Sequence, residues 1–407
     1  MLSVGIATAF SAASGYLVLL LAARSLTEAE YAGWFVFWSA FGLATGALNG
    51  LLHESARAVR ARGEGSSSAP ENAAKPFVAG AGVGAAAGGL ALLTAPLWAG
   101  PLFVDAGGAD GALPLAGLFA VGVCSIAVQA AVGGLLSAAY AWAPFAVLTV
   151  LDAAFRLAVA IGCSALGAGP GWFSVAAVAG AGSWLLLLLA SKRSRSLASA
   201  RADVPMREFL RRAGAAMAAA AASAVLVMGF PVLLKITTPG RLPEGAGALL
   251  LAVTLTRAPL LVPLNVFQGA LVAWCTDRRD RPWRALGTAA GGILAVGLVC
   301  ALAAAALGPW LLSAVFHVSW PFGRAMMAAL TFGAAMIALL TCTGVSCLTT
   351  DRGRANAVGW WTATLASLAI LLLPALPQEQ IDLRVCLALI VGPLVGIAVH
   401  LGSLRRM

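Results

Sequence analysis

The sequence predicts an all-α polytopic membrane protein, and three observations carry that prediction. Of the 407 residues, 61% are hydrophobic and only 10% are charged, whereas soluble globular proteins carry about 25% charged residues. Twelve apolar runs are long enough to cross a bilayer, which takes about 20 residues. Lys and Arg are concentrated in alternate segments between these runs. A water-exposed surface needs far more charge than this, so the composition excludes a soluble enzyme and a disordered chain.

The twelve predicted spans fall into two sets of six. The first set covers about 2–23, 33–52, 76–99, 113–138, 145–167 and 172–191. The second set covers about 213–235, 246–274, 286–308, 322–348, 356–376 and 383–403. The first span begins directly after Met1 without a basic segment, so we expect it to be retained rather than cleaved as a signal peptide.

The distribution of basic residues tests this count of spans. With loops numbered by the spans they join, 19 of the 26 Lys and Arg residues lie in even-numbered loops or in the C-terminal tail. Odd-numbered loops hold five, and two lie inside spans. Because basic loops stay in the cytoplasm, we predict that both termini are cytoplasmic. The net charge of +10 is then explained by membrane orientation, and we expect no nucleic-acid partner.

The longest basic loop predicts the domain organisation. It separates an N-terminal six-helix bundle at 1–191 from a C-terminal six-helix bundle at 213–407, with a basic cytoplasmic linker at 192–212. The end of the linker is either a short interfacial helix, with Met206, Phe209 and Leu210 toward lipid, or an ordinary basic loop. Arg, Leu and Glu recur before the second apolar run of each half. Unless this similarity is chance, it predicts parallel repeats related by a pseudo-two-fold axis along the membrane normal.

Ionisable side chains inside the predicted spans are candidate site residues, because charges are costly in hydrocarbon. Asp152 and Arg156 are four residues apart, so they share a helix face and can pair. Gln129 in the fourth span is a weaker cavity candidate. Arg257 has no acidic neighbour within its own span. It either snorkels, pairs with Asp152, or binds an anion such as a lipid pyrophosphate in bidentate geometry.

The eighth span combines helix-breaking and polar residues. Pro259 and Pro263 predict a helix break, which frees backbone carbonyls where protein or a watery cavity satisfies them. Asn265 and Gln268 are candidates for hydrogen bonds to sugar hydroxyls or to neighbouring helices.

Two further features complete the set of candidates. Arg57 and Glu54, at the end of the second span, form either a cytoplasmic gate or a solvated helix end.

The chain has only three His residues, far apart in sequence, and it carries no recognisable metal or nucleophile motif. We therefore expect no metal, no cofactor and no catalytic residues.

Two short motifs carry a family resemblance. The segment 20–33, which includes Ala23, Arg24, Leu26, Tyr31 and Gly33, resembles the signature after the first helix of polysaccharide flippases. The segment 50–57, from Gly50 to Arg57, resembles the end of the second helix in actinobacterial members. These proteins are lipid-linked oligosaccharide exporters of the multidrug/oligosaccharidyl-lipid/polysaccharide superfamily. Many members have up to fourteen spans, and this chain departs from them by having twelve.

The resemblance implies a V-shaped pair of six-helix bundles in the cytoplasmic membrane. Such a protein carries a polyprenyl-pyrophosphate-linked oligosaccharide across the bilayer by alternating access, for the synthesis of cell-surface polysaccharide. Its partners would be the lipid-linked glycan, the bilayer, a proton or sodium gradient and the enzymes that assemble the glycan.

Other functions stay open at this point. One is a drug/cation antiporter of the multidrug-extrusion type, in which Asp152 would carry the coupling proton. A membrane-embedded enzyme is a third reading, but the outward loops are short and Asp105 and Asp110 have no basic or His companion. A non-transporting member of a glycan-assembly complex is the fourth.

Overall fold

The computed structural model describes residues 2–63, 72–266, 271, 274, 276–277, 282–350, 352–373 and 380–405. Regular structure in these ranges is helical. The helices are α1 (Leu2–Ser25), α2 (Glu28–Gly63), α3 (Pro76–Gly108), α4 (Asp110–Ala138), α5 (Trp142–Ala165), α6 (Pro170–Ala190), α7 (Lys192–Ala198), α8 (Met206–Val227), α9 (Phe230–Ile236), α10 (Ala246–Val266), α11 (Pro282–Ala314), α12 (Arg324–Thr349), α13 (Gly353–Leu371) and α14 (Ile381–Arg405). The all-α membrane class predicted from composition is confirmed.

Eleven helices in the described part of the chain are long and apolar enough to cross a membrane. The predicted span at 356–376 corresponds to α13, a 19-residue helix outside that set. Its first turns contain Arg354 and Asn356, which lower its apolar character. The parallel repeat and the cytoplasmic placement of both termini stay predictions.

Two predicted boundaries are wrong. The third and fourth spans were expected to be separated by a Gly-rich linker at about 100–112. Instead α3 and α4 form one almost continuous helical stretch, kinked at Gly108, whose φ of 68° lies in the left-handed region. The seventh span, predicted as one helix at 213–235, is divided into α8 and α9 at Met228–Gly229.

The chain divides into two compact units, Met1–Ala224 and Val225–Met407. In the first unit α2 packs along α3 and α4, and α1 packs along α5. Its core includes an aromatic cluster in which the rings of Phe37, Trp98, Phe103 and Phe119 contact one another. The domain boundaries at 191 and 213 stay a prediction.

In the second unit α12 is the central helix. It packs against α10, α11, α13 and α14, and most of its residues from Leu330 to Cys347 are buried. The long pairing of α13 with α14 shows that α13 belongs to the helix bundle, although it is less apolar than its neighbours.

A close helix crossing explains one residue of the motif at 20–33. A Cβ at Gly33 of α2 would lie 2.3 Å from the backbone carbon of Asp105 in α3. Backbone atoms cannot move aside as a flexible side chain can. Small residues at such crossings allow membrane helices to pack by van der Waals contact, so Gly33 is required by packing.

We predict that Gly33→Ala lowers the free energy of unfolding by about 1–3 kcal/mol, the usual cost of overpacking. The readout is the unfolding midpoint of the purified protein in detergent. Gly82→Ala is the matched control, because a Cβ at this α3 glycine meets no atom within 4 Å. Equal midpoints for the two variants would contradict the packing argument.

Candidate functional site

Asp152 is the centre of a polar cluster in the first unit. Arg156 Nη2 donates to its Oδ1 at 3.0 Å, and Gln129 Nε2 donates to the same oxygen at 3.2 Å. Ser183 in turn donates to Gln129 Oε1 at 2.9 Å. The structure therefore brings together three of the predicted site residues, Asp152, Arg156 and Gln129. The sequence left open whether Asp152 pairs with Arg156 or with Arg257. In the structure it pairs with Arg156.

A turn in α6 permits this cluster. Its two α-helical parts, Pro170–Ala179 and Ser183–Ala190, are joined by a 3-10 turn at Gly180–Gly182. A Cβ at Gly180 would lie 2.3 Å from the backbone oxygen of Asp152 and 2.5 Å from its Oδ1. Only glycine allows the α6 backbone to come this close. Gly180 and Ser183 are site residues that the sequence did not reveal, because their partners lie on other helices.

The cluster borders a cavity of about 200 Å³ between α1, α2 and α5. Besides Asp152 and Arg156, it is lined by Ser11, Ser14, Gly15, Val18, Trp38 and Ala153. The Arg156 side chain is 19% exposed and that of Asp152 is 16% exposed. In the described part of the chain, no group of three or more His, Cys, Asp or Glu side chains could hold a metal ion.

Arg257 lies in the second unit and is 8% exposed. Its Nη1 donates to the carbonyl oxygen of Val227, the last residue of α8, at 2.7 Å. Its guanidinium carbon lies 5.7 Å from the ring centroid of Phe230. Within the described residues its Nη2 is buried without a hydrogen-bond partner. Arg257 thus caps a helix end with one arm of the fork and keeps a donor for another acceptor.

The remaining predictions for the eighth span have mixed outcomes. The helix break expected at Pro259 and Pro263 is not seen, because α10 stays helical through both prolines. Each proline removes one backbone hydrogen bond, and the surrounding helix retains the others. Asn265 lies in α10, but its side chain is outside what the structure describes, and Gln268 lies outside the described residues.

Two further cations are buried in the second unit, at the predicted ends of the seventh and twelfth spans. Lys235 in α9 is 1% exposed and donates to the Gly240 carbonyl at 2.7 Å. Arg384 in α14 is 4% exposed, and its Nη2 donates to the carbonyl of Leu371, the last residue of α13. Arg384 and Arg257 share one arrangement, in which a guanidinium satisfies the negative end of a helix.

Arg57 and Glu54 belong to an ionic network at the C-terminal part of α2. Arg57 donates to both carboxylate oxygens of Glu54, at 2.7 and 2.8 Å, and to both oxygens of Asp203, at 3.2 and 3.3 Å. Arg212 lies 3.9 Å from the Asp203 carboxylate and 2.7 Å from Glu208. Glu54 is only 6% exposed, so the solvated-helix-end reading does not describe it. Asp203 was missed because it lies 146 residues further along the chain.

The same network holds the segment between α7 and α8. The amide of Asp203 donates to the Ala58 carbonyl at 3.0 Å, and the amide of Ala202 donates to the Ala74 carbonyl at 2.8 Å. Ala73 and Pro205 form an isolated antiparallel β-bridge. Phe209, which was predicted to face lipid, is fully buried, and its amide donates to the Pro205 carbonyl at 3.0 Å. Part of the predicted linker is therefore packed onto the first unit.

Comparison with known proteins relates the whole chain to a mycobacterial family. Rv1510 of Mycobacterium tuberculosis is 44% identical over 406 residues, which cover 99% of this chain and 91% of the relative. Rv3630 of the same organism is 40% identical over 405 residues, with the same coverage. No protein-family model matches the chain.

Solved structures define the fold. The lipid II flippase MurJ, in an inward closed conformation, superposes with a TM-score of 0.71 over 100% of this chain and 88% of that chain, at 12% identity. An inward-facing multidrug resistance MATE transporter of the MOP superfamily also reaches 0.71, over 96% of this chain and 93% of that chain, at 14% identity. The fold is therefore that of MOP superfamily transporters.

We predict that Arg57→Gln loosens the segment between α7 and α8 (residues 199–205), because the Asp203 carboxylate loses its nearest cation. Hydrogen exchange of the Ala202 and Asp203 amides should become at least about tenfold faster, since local opening controls exchange. Arg211→Gln is the matched control: Arg211 pairs with Glu208 and is 75% exposed. Unchanged exchange in Arg57→Gln would show that other contacts hold the segment, among them the backbone hydrogen bonds and the hydrogen bond from Arg62 to the Ala202 carbonyl.

Proposed function

We propose a transport function for this protein, which belongs to the family of the Mycobacterium tuberculosis proteins Rv1510 and Rv3630 and has the fold of the MOP superfamily transporters. The protein is an alternating-access flippase of a polyprenyl-pyrophosphate-linked oligosaccharide used for cell-surface polysaccharide. It lies in the cytoplasmic membrane with both termini on the cytoplasmic side, as the positions of its basic loops favour. It is not an enzyme, and its chemistry is binding and translocation.

The observation that carries this proposal is the buried guanidinium of Arg257, whose Nη2 has no hydrogen-bond partner among the described residues. A buried cation with an unsatisfied N–H favours an anionic acceptor. A lipid pyrophosphate offers several oxygen acceptors and matches the planar fork of arginine. Arg257 would bind the pyrophosphate, and Asp152, Arg156 and Gln129 would line the part of the route that accepts the glycan. Asn265 and Gln268 remain proposed contacts of the substrate.

A multidrug-type antiporter is the second candidate, because a MATE transporter shares the fold. Such a mechanism needs a carboxylate that exchanges a proton or sodium ion inside the membrane. Asp152 is the predicted carrier, and in the structure it is held by Arg156 and Gln129. Protonation would remove the charge that pairs with Arg156 and leave that cation without its counter-ion, so the arrangement favours a structural or binding role for this carboxylate. The flippase is therefore the better-supported candidate.

The test is a proteoliposome assay with a fluorescent polyprenyl-pyrophosphate-linked sugar, in which movement exposes the label on the far leaflet. We predict protein-dependent movement that Arg257→Gln reduces at least about tenfold. Glutamine keeps an N–H donor on the side chain but removes the charge. Arg257→Lys, which keeps the charge, should retain more transport than Arg257→Gln.

Three outcomes would oppose parts of this proposal. Normal movement by a well-folded Arg257→Gln variant would exclude the anion-binding role. No movement, together with gradient-driven efflux of cationic dyes, would support the antiporter instead. Equal loss in Arg257→Gln and Arg257→Lys with lowered unfolding midpoints would show that Arg257 acts through α8 stability.

A further inference from the structure

The cavity in the first unit lies near the middle of two membrane helices. Ser14 is close to the centre of α1 (Leu2–Ser25), and Asp152 is close to the centre of α5 (Trp142–Ala165). Polar cavities at this depth are costly unless protein groups or a ligand satisfy them. The groups that line this cavity therefore need protein partners or a ligand.

Several polar atoms at the cavity have free hydrogen-bonding capacity. Ser14 is 2% exposed, and within the described residues its hydroxyl has no partner. The Nε of Arg156 is likewise buried and without a partner there. Among the described residues, both donors to Asp152 use Oδ1, which leaves Oδ2 there as an acceptor. The site thus offers a hydroxyl, an N–H donor and a carboxylate acceptor to one ligand.

The charge of the cavity favours a neutral ligand. Arg156 and Asp152 are paired at 3.0 Å, so their charges compensate each other. An anion such as phosphate would meet the repulsion of the Asp152 carboxylate. A ligand whose groups both donate and accept would use Oδ2 and Nε together, as neighbouring hydroxyl groups of a sugar do.

Trp38 adds an apolar surface to this polar set. Its neighbours Trp34 and Phe37 are fully buried, whereas Trp38 is half-buried and lines the cavity. Its ring centroid lies 5.5 Å from that of Trp34, which supports it from within the core. An aromatic face beside hydrogen-bonding groups suits a ring with one apolar face and a polar rim.

The size of the cavity agrees with a single ring. At about 200 Å³ it holds roughly seven waters at about 30 Å³ each, so it is too large for a lone ion. It is also below the roughly 300–1,000 Å³ of sites for drug-sized ligands. Gly15 contributes to this space, because a Cβ at Gly15 would meet no atom within 4 Å.

We propose that this cavity binds one pyranose ring of a neutral sugar, with Trp38 against an apolar face of the ring. Ser14, Arg156 and Asp152 bind its hydroxyl groups. The inference rests on the proposed function for its biological meaning, since the ring would belong to the transported glycan. It names the sugar, rather than the pyrophosphate or the lipid, as the part of the substrate that the first unit recognises.

The test measures sugar binding without any lipid carrier. Methyl glycosides of glucose, galactose, mannose and rhamnose are added to the full-length protein in detergent, and saturation-transfer NMR reports contact with the ring protons. We expect at least one glycoside to bind. Trp38→Ala and Gly15→Leu should weaken its affinity about tenfold or more, which corresponds to about 1.4 kcal/mol. Trp38→Phe should retain most of the affinity.

Matched controls separate binding from folding. Gly5→Leu places the same side chain on α1, where a Cβ also meets no atom within 4 Å. Trp172→Ala removes a tryptophan that is 65% exposed and outside the cavity. Both variants should bind like the wild type. Absence of binding for every glycoside, or binding unaffected by Trp38→Ala and Gly15→Leu, would overturn the proposal.

The sugar site and the flippase function fail in different ways. Glycoside binding that depends on Trp38, in a protein that does not move a lipid-linked sugar, would overturn the function and leave the site. Movement of a lipid-linked sugar at the wild-type rate by Gly15→Leu would overturn the site and leave the function.

Discussion

The ion pair between Asp152 and Arg156 is the interaction on which the first unit depends. Hydrocarbon offers no hydrogen bonds, so a charge inside a membrane helix must be satisfied by protein. Asp152 is satisfied by Arg156 and Gln129, and Gln129 by Ser183. This chain of contacts requires the glycine turn of α6. It also holds Arg156 at the edge of a cavity, where its Nε is buried without a hydrogen-bond partner among the described residues.

The second unit satisfies its buried cations differently. Arg257, Arg384 and Lys235 each donate to a backbone carbonyl, and for the two arginines that carbonyl ends a helix. Such caps offset the negative helix terminus, and among the described residues no carboxylate forms an ion pair with Arg257 or Arg384. The first unit therefore has a nearly neutral polar site, whereas Arg257 in the second unit retains an excess of donors. This difference is the basis for our proposal that the first unit binds the sugar and that Arg257 in the second unit binds the pyrophosphate.

Contacts within a helix were predictable from the sequence, and contacts between helices were not. Hydropathy located the spans, and the spacing of four residues anticipated the pairing of Asp152 with Arg156. The division at Met228–Gly229 was hidden because apolar residues continue through it. Ser14 and Trp38 look like ordinary membrane residues until α1, α2 and α5 are placed together. The ion pair between Arg57 and Asp203 could not be predicted either, because hydropathy and periodicity describe one helix at a time.

A double-mutant cycle on Asp152 and Arg156 tests most directly whether this pair organises the first unit. The free energy of unfolding in detergent is measured for Asp152→Asn, Arg156→Gln and the double variant. Each single variant should lose about 3–5 kcal/mol, because it leaves a buried charge without its partner. The double variant should lose clearly less than the sum, with a coupling of about 0.5–3 kcal/mol. Additive losses would contradict the central role of the pair.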